Sequence, residues 1–271
     1  MSPKGLSRAR NLGIEATNGE IIAFLDDDCT VRADWLTHVA AAFMRHQQAA
    51  LVFGTVISTP HDKQIYYIPS YDAKTECCFQ GRLACLRVGG MGASMYLRRD
   101  LVRGLGPFDV HLGPGSGFFG NGDDVDYSYR CLASGCRVVK TPLIIVEHHG
   151  IRAYNTGAAL DLLADYAYTA GAVVMKLLRC REMAALLLLV HGLRYFSLNR
   201  PHSFVPNRHP TPVRLIAMHL RGLLASFQLS VDRQHYLYVS TRDRDAGPML
   251  ISGSRLAYIP DQQSAVDYTL S

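Results

Sequence analysis

Residues 21–25 read Ile-Ile-Ala-Phe-Leu, an apolar run without polar alternation, and the run ends abruptly in Asp26-Asp27-Asp28. Such a run fits a strand covered on both faces, which only a layered architecture provides. Upstream, Leu6, Ala9, Arg10, Leu12, Gly13 and Ala16 follow a helical spacing that stops at Asn18-Gly19. Downstream, Asp34 is placed to cap a helix with apolar positions Leu36, Val39, Ala40, Phe43 and Met44. Residues 51–57 then read as another strand. Strand, helix and strand in succession predict an α/β fold.

The chain has 271 residues, of which 48% are hydrophobic, enough for a large core in one domain with or without an appendage. Its net charge of +5 suits an anionic ligand or an anionic membrane surface and is too small to argue for nucleic acid. Seven cysteines, two of them adjacent (Cys77 and Cys78) and none in a CxxC pair, fit a reducing compartment. The first residues lack the apolar core of a signal peptide, and residues 183–190 are too short to span a bilayer. The expected location is the cytoplasm, with peripheral attachment at the inner face of the membrane as the variant.

Three adjacent carboxylates repel one another, and a divalent cation relieves that repulsion. Mg²⁺ or Mn²⁺ is usually held by one or two carboxylates, with phosphate oxygens and water completing the shell. At the end of a buried strand, where α/β sheets bind ligands, the triplet reads as half of a metal–diphosphate site. The plainer alternative is a solvated loop or a cluster at a helix start.

A second acidic group, Asp123-Asp124-Val125-Asp126, follows a glycine-rich region that includes Gly92, Gly113, Gly115, Gly117, Gly120 and Gly122. Helix starts favour acidic residues, which accounts for one or two of these. A carboxylate in a glycine-lined cleft can also serve as a general base. Residues 137–146 supply one or two more strands, running into Glu147-His148-His149. His148 is then either a further metal ligand or an ordinary hydrogen-bonded imidazole.

Beyond residue 155 the texture becomes helical. Residues 156–178 and 183–198 predict a hairpin and residues 200–212 a linker. Residues 213–229 predict an amphipathic helix with Leu215, Ile216, Leu220, Leu223, Leu224 and Phe227 on one side. Either intramolecular packing or a membrane surface could take that side. The expected division is 1–155, 156–199 and 200–271, with the last forty residues unassigned.

Two families join an apolar strand to such carboxylates. The segment Phe24 to Thr30 resembles the haloacid-dehalogenase-like phosphatases, which would make Asp26 a nucleophile, Asp28 an acid/base and Lys140 a phosphate partner. The order of the later motifs does not match that family. A fuller resemblance is to glycosyltransferase family 2. It is carried by residues 5–36, by residues 91–109, which open Met91-Gly92-Ala93-Ser94, and by residues 120–150. That resemblance implies a GT-A-like (Rossmann-like) mixed sheet flanked by helices, with a C-terminal helical extension. It implies inverting transfer of a sugar from a nucleotide-diphospho-sugar to a hydroxyl of a glycan, lipid or other acceptor, with Mn²⁺ or Mg²⁺ as cofactor. Carried over, Asp28 and His148 hold the metal, with His149 the lesser candidate. Asp26, Asp27, Arg10, Asp123 and Gly92 serve the donor or its sugar, and Asp124 is the base. The family's first strand or strands are expected ahead of Gly5, where only Met-Ser-Pro-Lys stands. An N-terminally truncated sheet, an open edge and impaired activity are therefore expected. A non-catalytic scaffold is the remaining alternative.

Overall fold

The computed structural model describes residues 4–198 and 210–240. Its first half runs α1 (Leu6–Ala16), β1 (Ile21–Phe24), β2 (Cys29–Val31), α2 (Trp35–Arg45), β3 (Ala49–Ser58), β4 (Tyr66–Tyr67), β5 (Cys77–Phe79), β6 (Met95–Arg98) and α3 (Arg99–Val102). Then come α4 (Asp123–Ala133), β7 (Arg137–His148), β8 (Arg152–Ala153), α5 (Ala158–Arg179), α6 (Ala185–Leu198), α7 (Pro212–Ala225), β9 (Ser230–Asp232) and β10 (Leu237–Val239).

The main sheet has the order β1-β6-β3-β7-β2, with β5 also on β7. The central pair, β3 and β7, is parallel, whereas β6 and β2 pair antiparallel with their neighbours. β3 is buried along nearly its whole length, which explains its unbroken apolar sequence. Residues 137–148 form one long strand. It bulges between Lys140 and Ile145, where Pro142 removes a ladder donor. Gly54 faces this bulge, and a Cβ there would stand 2.6 Å from the Ile144 carbonyl oxygen.

Helices cover both faces. Ile14 of α1 and Tyr127 and Leu132 of α4 join Phe53, Leu97 and Phe108 in one cluster, while Val39, Ala42 and Phe43 of α2 join Val52, Tyr96 and Ile144 in another. The packing corrects one expectation. The α2 face that packs is Val39, Ala42 and Phe43; Leu36, Ala40 and Met44 are exposed, and Asp34 caps without a side-chain bond. β1 is covered on both faces, with Ile22 and Phe24 in the first cluster and Ile21 and Ala23 against the second, though less deeply than β3. In β1 only Ile22 is buried, because the strand ends the sheet order and β6 is its one described neighbour. Among the described residues, β1 stands at one end of the sheet order and β2 at the other.

The three long helices after residue 157 form a layer of their own. α5 and α7 touch backbone to backbone. A Cβ at Gly171 would lie 2.0 Å from the His219 carbonyl oxygen, and one at Gly222 only 1.8 Å from that of Tyr168. Glycine permits this approach, and any side chain would force the helices apart. α5 is long and apolar enough to cross a membrane by length and composition, but half of its apolar window is buried inside the protein. Residues 199–209, most of the expected linker, lie outside the described residues. So do residues 241–271, the bulk of the unassigned tail. Residues 230–239 form a small hairpin of β9 and β10.

The turn between α5 and α6 is tied to the sheet domain by Glu182. Its carboxylate accepts from Tyr129 (2.9 Å), Arg82 (3.0 Å) and Tyr236. Burial alone raises this carboxyl, but the tyrosine and arginine bonds outweigh it and the net effect is a lowered pKa. A lowered acid contributes stability that is complete above the ordinary glutamate range and is lost as pH falls through the lowered value. Glu182→Gln is therefore expected to be less stable than the parent at pH 7, with a smaller gap at an acid pH below the ordinary glutamate range. Urea unfolding at both pH values reads this, and a constant gap would count against the assignment.

Candidate active site

The acidic triplet folds into a turn because β1 ends at Phe24 and β2 starts at Cys29, with the Cys29 N–H bonded to the Asp26 carbonyl. β2 lies antiparallel on the end of β7, which sets Cys29 directly opposite His148. The His149 N–H closes the corner on the Asp28 carbonyl at 2.8 Å. These backbone bonds bring the Asp28 carboxylate to 3.3 Å from His148 Nε2. His148 Nδ1 lies 3.0 Å from the Pro69 carbonyl, which can only accept, so Nδ1 carries the proton and Nε2 is the nitrogen turned to Asp28. A Cβ on Gly150 would stand 2.4 Å from Asp28 Oδ2 and 2.7 Å from His148 Nε2, so glycine keeps this corner open.

Asp28, Cys29 and His148 each offer one ligand atom, all within 4.8 Å of one another. The set suits a divalent cation, with a carboxylate oxygen and an imidazole nitrogen from the chain and room for phosphate and water. Cys29 adds a sulfur that is not among the residues expected from sequence. A signal was there, since the residue stands directly after the triplet, but only the β2–β7 register brings it to His148. Burial and the carboxylates of Asp26 and Asp28 push its thiol up to about 12. His149 turns away and meets Thr30 Oγ1 at 2.8 Å.

Arg10 is the organising cation. It is 4% exposed on α1, pairs with Asp123, and reaches Asp26 at 3.6 Å. Its guanidinium stacks near the rings of Phe24 and Phe108. Burial lowers its pKa, while Asp26 and Asp124 act the other way. The Asp26 carboxyl is raised, first by burial; Arg10 lowers it and Asp28 raises it further. Gly92 makes space for the guanidinium, since a Cβ there would lie 2.5 Å from Arg10 Nη2. Its N–H also bonds Asp124 Oδ2 at 3.0 Å. Gly122, in the left-handed region at φ 81°, starts α4 so that Asp123 and Asp124 face the same cleft. Asp126 turns the other way, into the core, and meets Lys176 and Arg130.

One cavity of about 920 Å³ gathers these parts. Arg10, Asp26, Asp27, Asp28, Gly92, Asp123, Asp124 and His148 all line it. The opposite wall is apolar and comes from the helical layer: Leu162, Leu163, Tyr166, Tyr195, Phe196 and Leu215. Lys140 does not line it; its ammonium lies over Phe79. The phosphatase pattern thus lacks its lysine at the cleft.

The mixed α/β sheet with helices on both faces is consistent with a GT-A-like fold. Residues 2–98 match the model of glycosyl transferase family 2. Similar proteins include the pre-mycofactocin glycosyltransferase of Mycobacterium tuberculosis, 28% identical over 151 residues, covering 54% of this chain and 30% of that protein. Glycosyltransferase AglE of Haloferax volcanii is 27% identical over 139 residues, covering 49% of this chain and 40% of its own. A glucosyl-dolichyl phosphate glucuronosyltransferase of the same archaeon is 25% identical over 117 residues, 41% of this chain and 36% of that one. The chain spans less than half the length of each of these relatives.

Proposed function

We propose that the protein is a metal-dependent inverting glycosyltransferase, moving a sugar from a nucleotide-diphospho-sugar to an acceptor hydroxyl. The observation that carries this reading is that the Asp28–His148 pair and Asp124 line the same cleft, in a chain whose residues 2–98 match the family 2 model. Asp28 and His148 would hold Mn²⁺ or Mg²⁺, with Cys29 within reach. When bound, the cation neutralises charge on the diphosphate. Asp26 and Asp27 face the donor, and Arg10 fixes Asp26 and Asp123 in register across the cleft.

Asp124 is the base. Its carboxylate takes the acceptor's hydroxyl proton as the acceptor oxygen bonds the anomeric carbon. The bond from that carbon to the diphosphate oxygen breaks on the opposite side, and the nucleoside diphosphate leaves. A single displacement inverts the anomeric centre. The acceptor approaches past the apolar wall of the helical layer, which suits a lipid-borne or otherwise apolar acceptor. The H. volcanii relative is named for a dolichyl phosphate substrate.

Calorimetry with UDP and GDP in Mn²⁺ tests the donor side. One of the two is expected to bind the full chain, and Asp28→Ala is expected to weaken it by about 100-fold. Unaltered affinity in that variant would remove Asp28 from the metal site.

A further inference from the structure

α7 carries more apolar surface than its packing uses. Its inner stripe, Leu215, Gly222 and Leu223, is buried in the helical layer. A helix that only packs against a core needs one such stripe, with polar residues opposite. Here a second stripe recurs on the opposite side: Val213 is 77% exposed, Leu220 45% and Leu224 71%, and Phe227, in the turn after the helix with Arg179 over its ring, is 60% exposed. Arg214 and Arg221, seven residues apart and both exposed, flank this outer stripe along one edge. Arg214 also reaches Asp161 of α5 at 3.2 Å. The outer side of α6 repeats the chemistry, with Leu187, Val190 and Leu198 exposed around Arg194. Neither helix contains an aspartate or a glutamate.

We propose that the outer face of α7, extended by α6, is a docking surface for an anionic lipid bilayer. Charge decides between the occupants. Two copies of the chain apposed here would bring arginines against arginines with no acidic residue on either helix to receive them. A negatively charged headgroup layer receives the arginines and takes the leucine and valine side chains below it. The surface starts at the cleft mouth, because Leu215, two residues from Val213, lines the apolar wall together with Tyr195 and Phe196 of α6. Docking would therefore set the acceptor side of the cleft against the membrane. The exposed face binds lipid by this chemistry whether or not the cleft transfers a sugar.

The test is flotation of the full chain with vesicles of phosphatidylcholine alone and with about one third phosphatidylglycerol. Binding is expected to the anionic vesicles and to weaken steeply with added salt. Arg194→Gln with Arg221→Gln should reduce it by roughly 25-fold, at about fivefold for each basic residue removed. Val213→Glu with Leu224→Glu should reduce it by at least about tenfold. Both glutamates replace the most exposed positions, and thermal unfolding and Mn²⁺-dependent nucleotide binding on the same samples check that the fold and the cleft survive. If the parent chain ignores anionic vesicles, or the glutamate variant floats as well as the parent, the proposal is overturned. It is also overturned if the parent is a dimer that the glutamates split into monomers, since the face then serves a second copy. Loss of nucleotide binding in the parent would strike the transferase reading and leave this one untouched.

Discussion

Replacing Lys176 with methionine is expected to lower the free energy of unfolding by about 3–5 kcal/mol, the range for stripping one partner from a buried ion pair. Lys176 is fully buried on α5, with its ammonium 2.8 Å from Asp109 and 2.6 Å from Asp126. Both carboxylates are buried as well. Burial alone raises the Asp109 carboxyl, but Lys176, His111 and the Tyr238 N–H overcome this and hold it low. Methionine fills most of the lysine's volume, so the loss reports charge rather than a cavity. Two carboxylates would then share an apolar space with Arg130 as the remaining cation on Asp126. In thermal unfolding the midpoint should drop by roughly 10 °C, at about 2–4 °C per kcal/mol for a chain of this size. Adding Asp109→Asn to Lys176→Met should recover part of the loss, because it removes one uncompensated charge. A loss below about 1 kcal/mol would show that the pair stabilises little in its buried setting. The consequence reaches the cleft. Asp126 lies two residues after Asp124 on α4, so Lys176 joins the helix bearing the proposed base to the layer that forms the opposite wall.

Much of this arrangement was legible in the residues. The unbroken apolar run of β3, the glycines before α4 and the periodicity of α5 each report a local constraint, and the elements form where those constraints place them. The expected site residues line one cleft. What escaped was whatever depended on who stands next to whom. β1 reads as a strand covered on both faces, and it is, but its lateral place was not legible: only β6 is beside it among the described residues. Cys29 carries no pattern of its own; the antiparallel register of β2 on β7 makes it a neighbour of His148. The apolar positions after residue 212 read as one side of a helix, but they divide: Leu215 and Leu223 are buried, while Leu220, Leu224 and Phe227 are exposed. Gly171 and Gly222 set that division, by letting the α5 and α7 backbones touch on one side and leaving Leu224 outside. Lys176 likewise hid in an apolar run, because a lysine in a helix reads as a solvated face until two carboxylates are placed beside it.

Asp124→Asn is expected to lower turnover by about 1,000-fold, within the range ascribed to a positioned general base, while nucleotide affinity changes by less than about threefold. The geometry separates the two effects. Asp124 sits at the first turn of α4 with Oδ2 on the Gly92 N–H and Oδ1 on the Val125 N–H, so its position is fixed by backbone donors. An asparagine keeps the side-chain shape and can still accept from Gly92, but it cannot take a proton from an acceptor hydroxyl. Asp28 belongs to the other half of the cleft, beside His148, and its loss should remove nucleotide binding first. The two variants should thus fail in opposite ways: Asp28→Ala in calorimetry, Asp124→Asn in single-turnover transfer with donor bound. Substitution effects on kcat alone identify a group used in the transition state, whereas parallel losses in binding and turnover identify one used throughout. If Asp124→Asn loses nucleotide affinity as fully as Asp28→Ala does, Asp124 is a donor contact and the proton must go to another carboxylate of the cleft. Asp123 could not take that role without releasing Arg10, because its carboxylate is buried and already paired with that guanidinium.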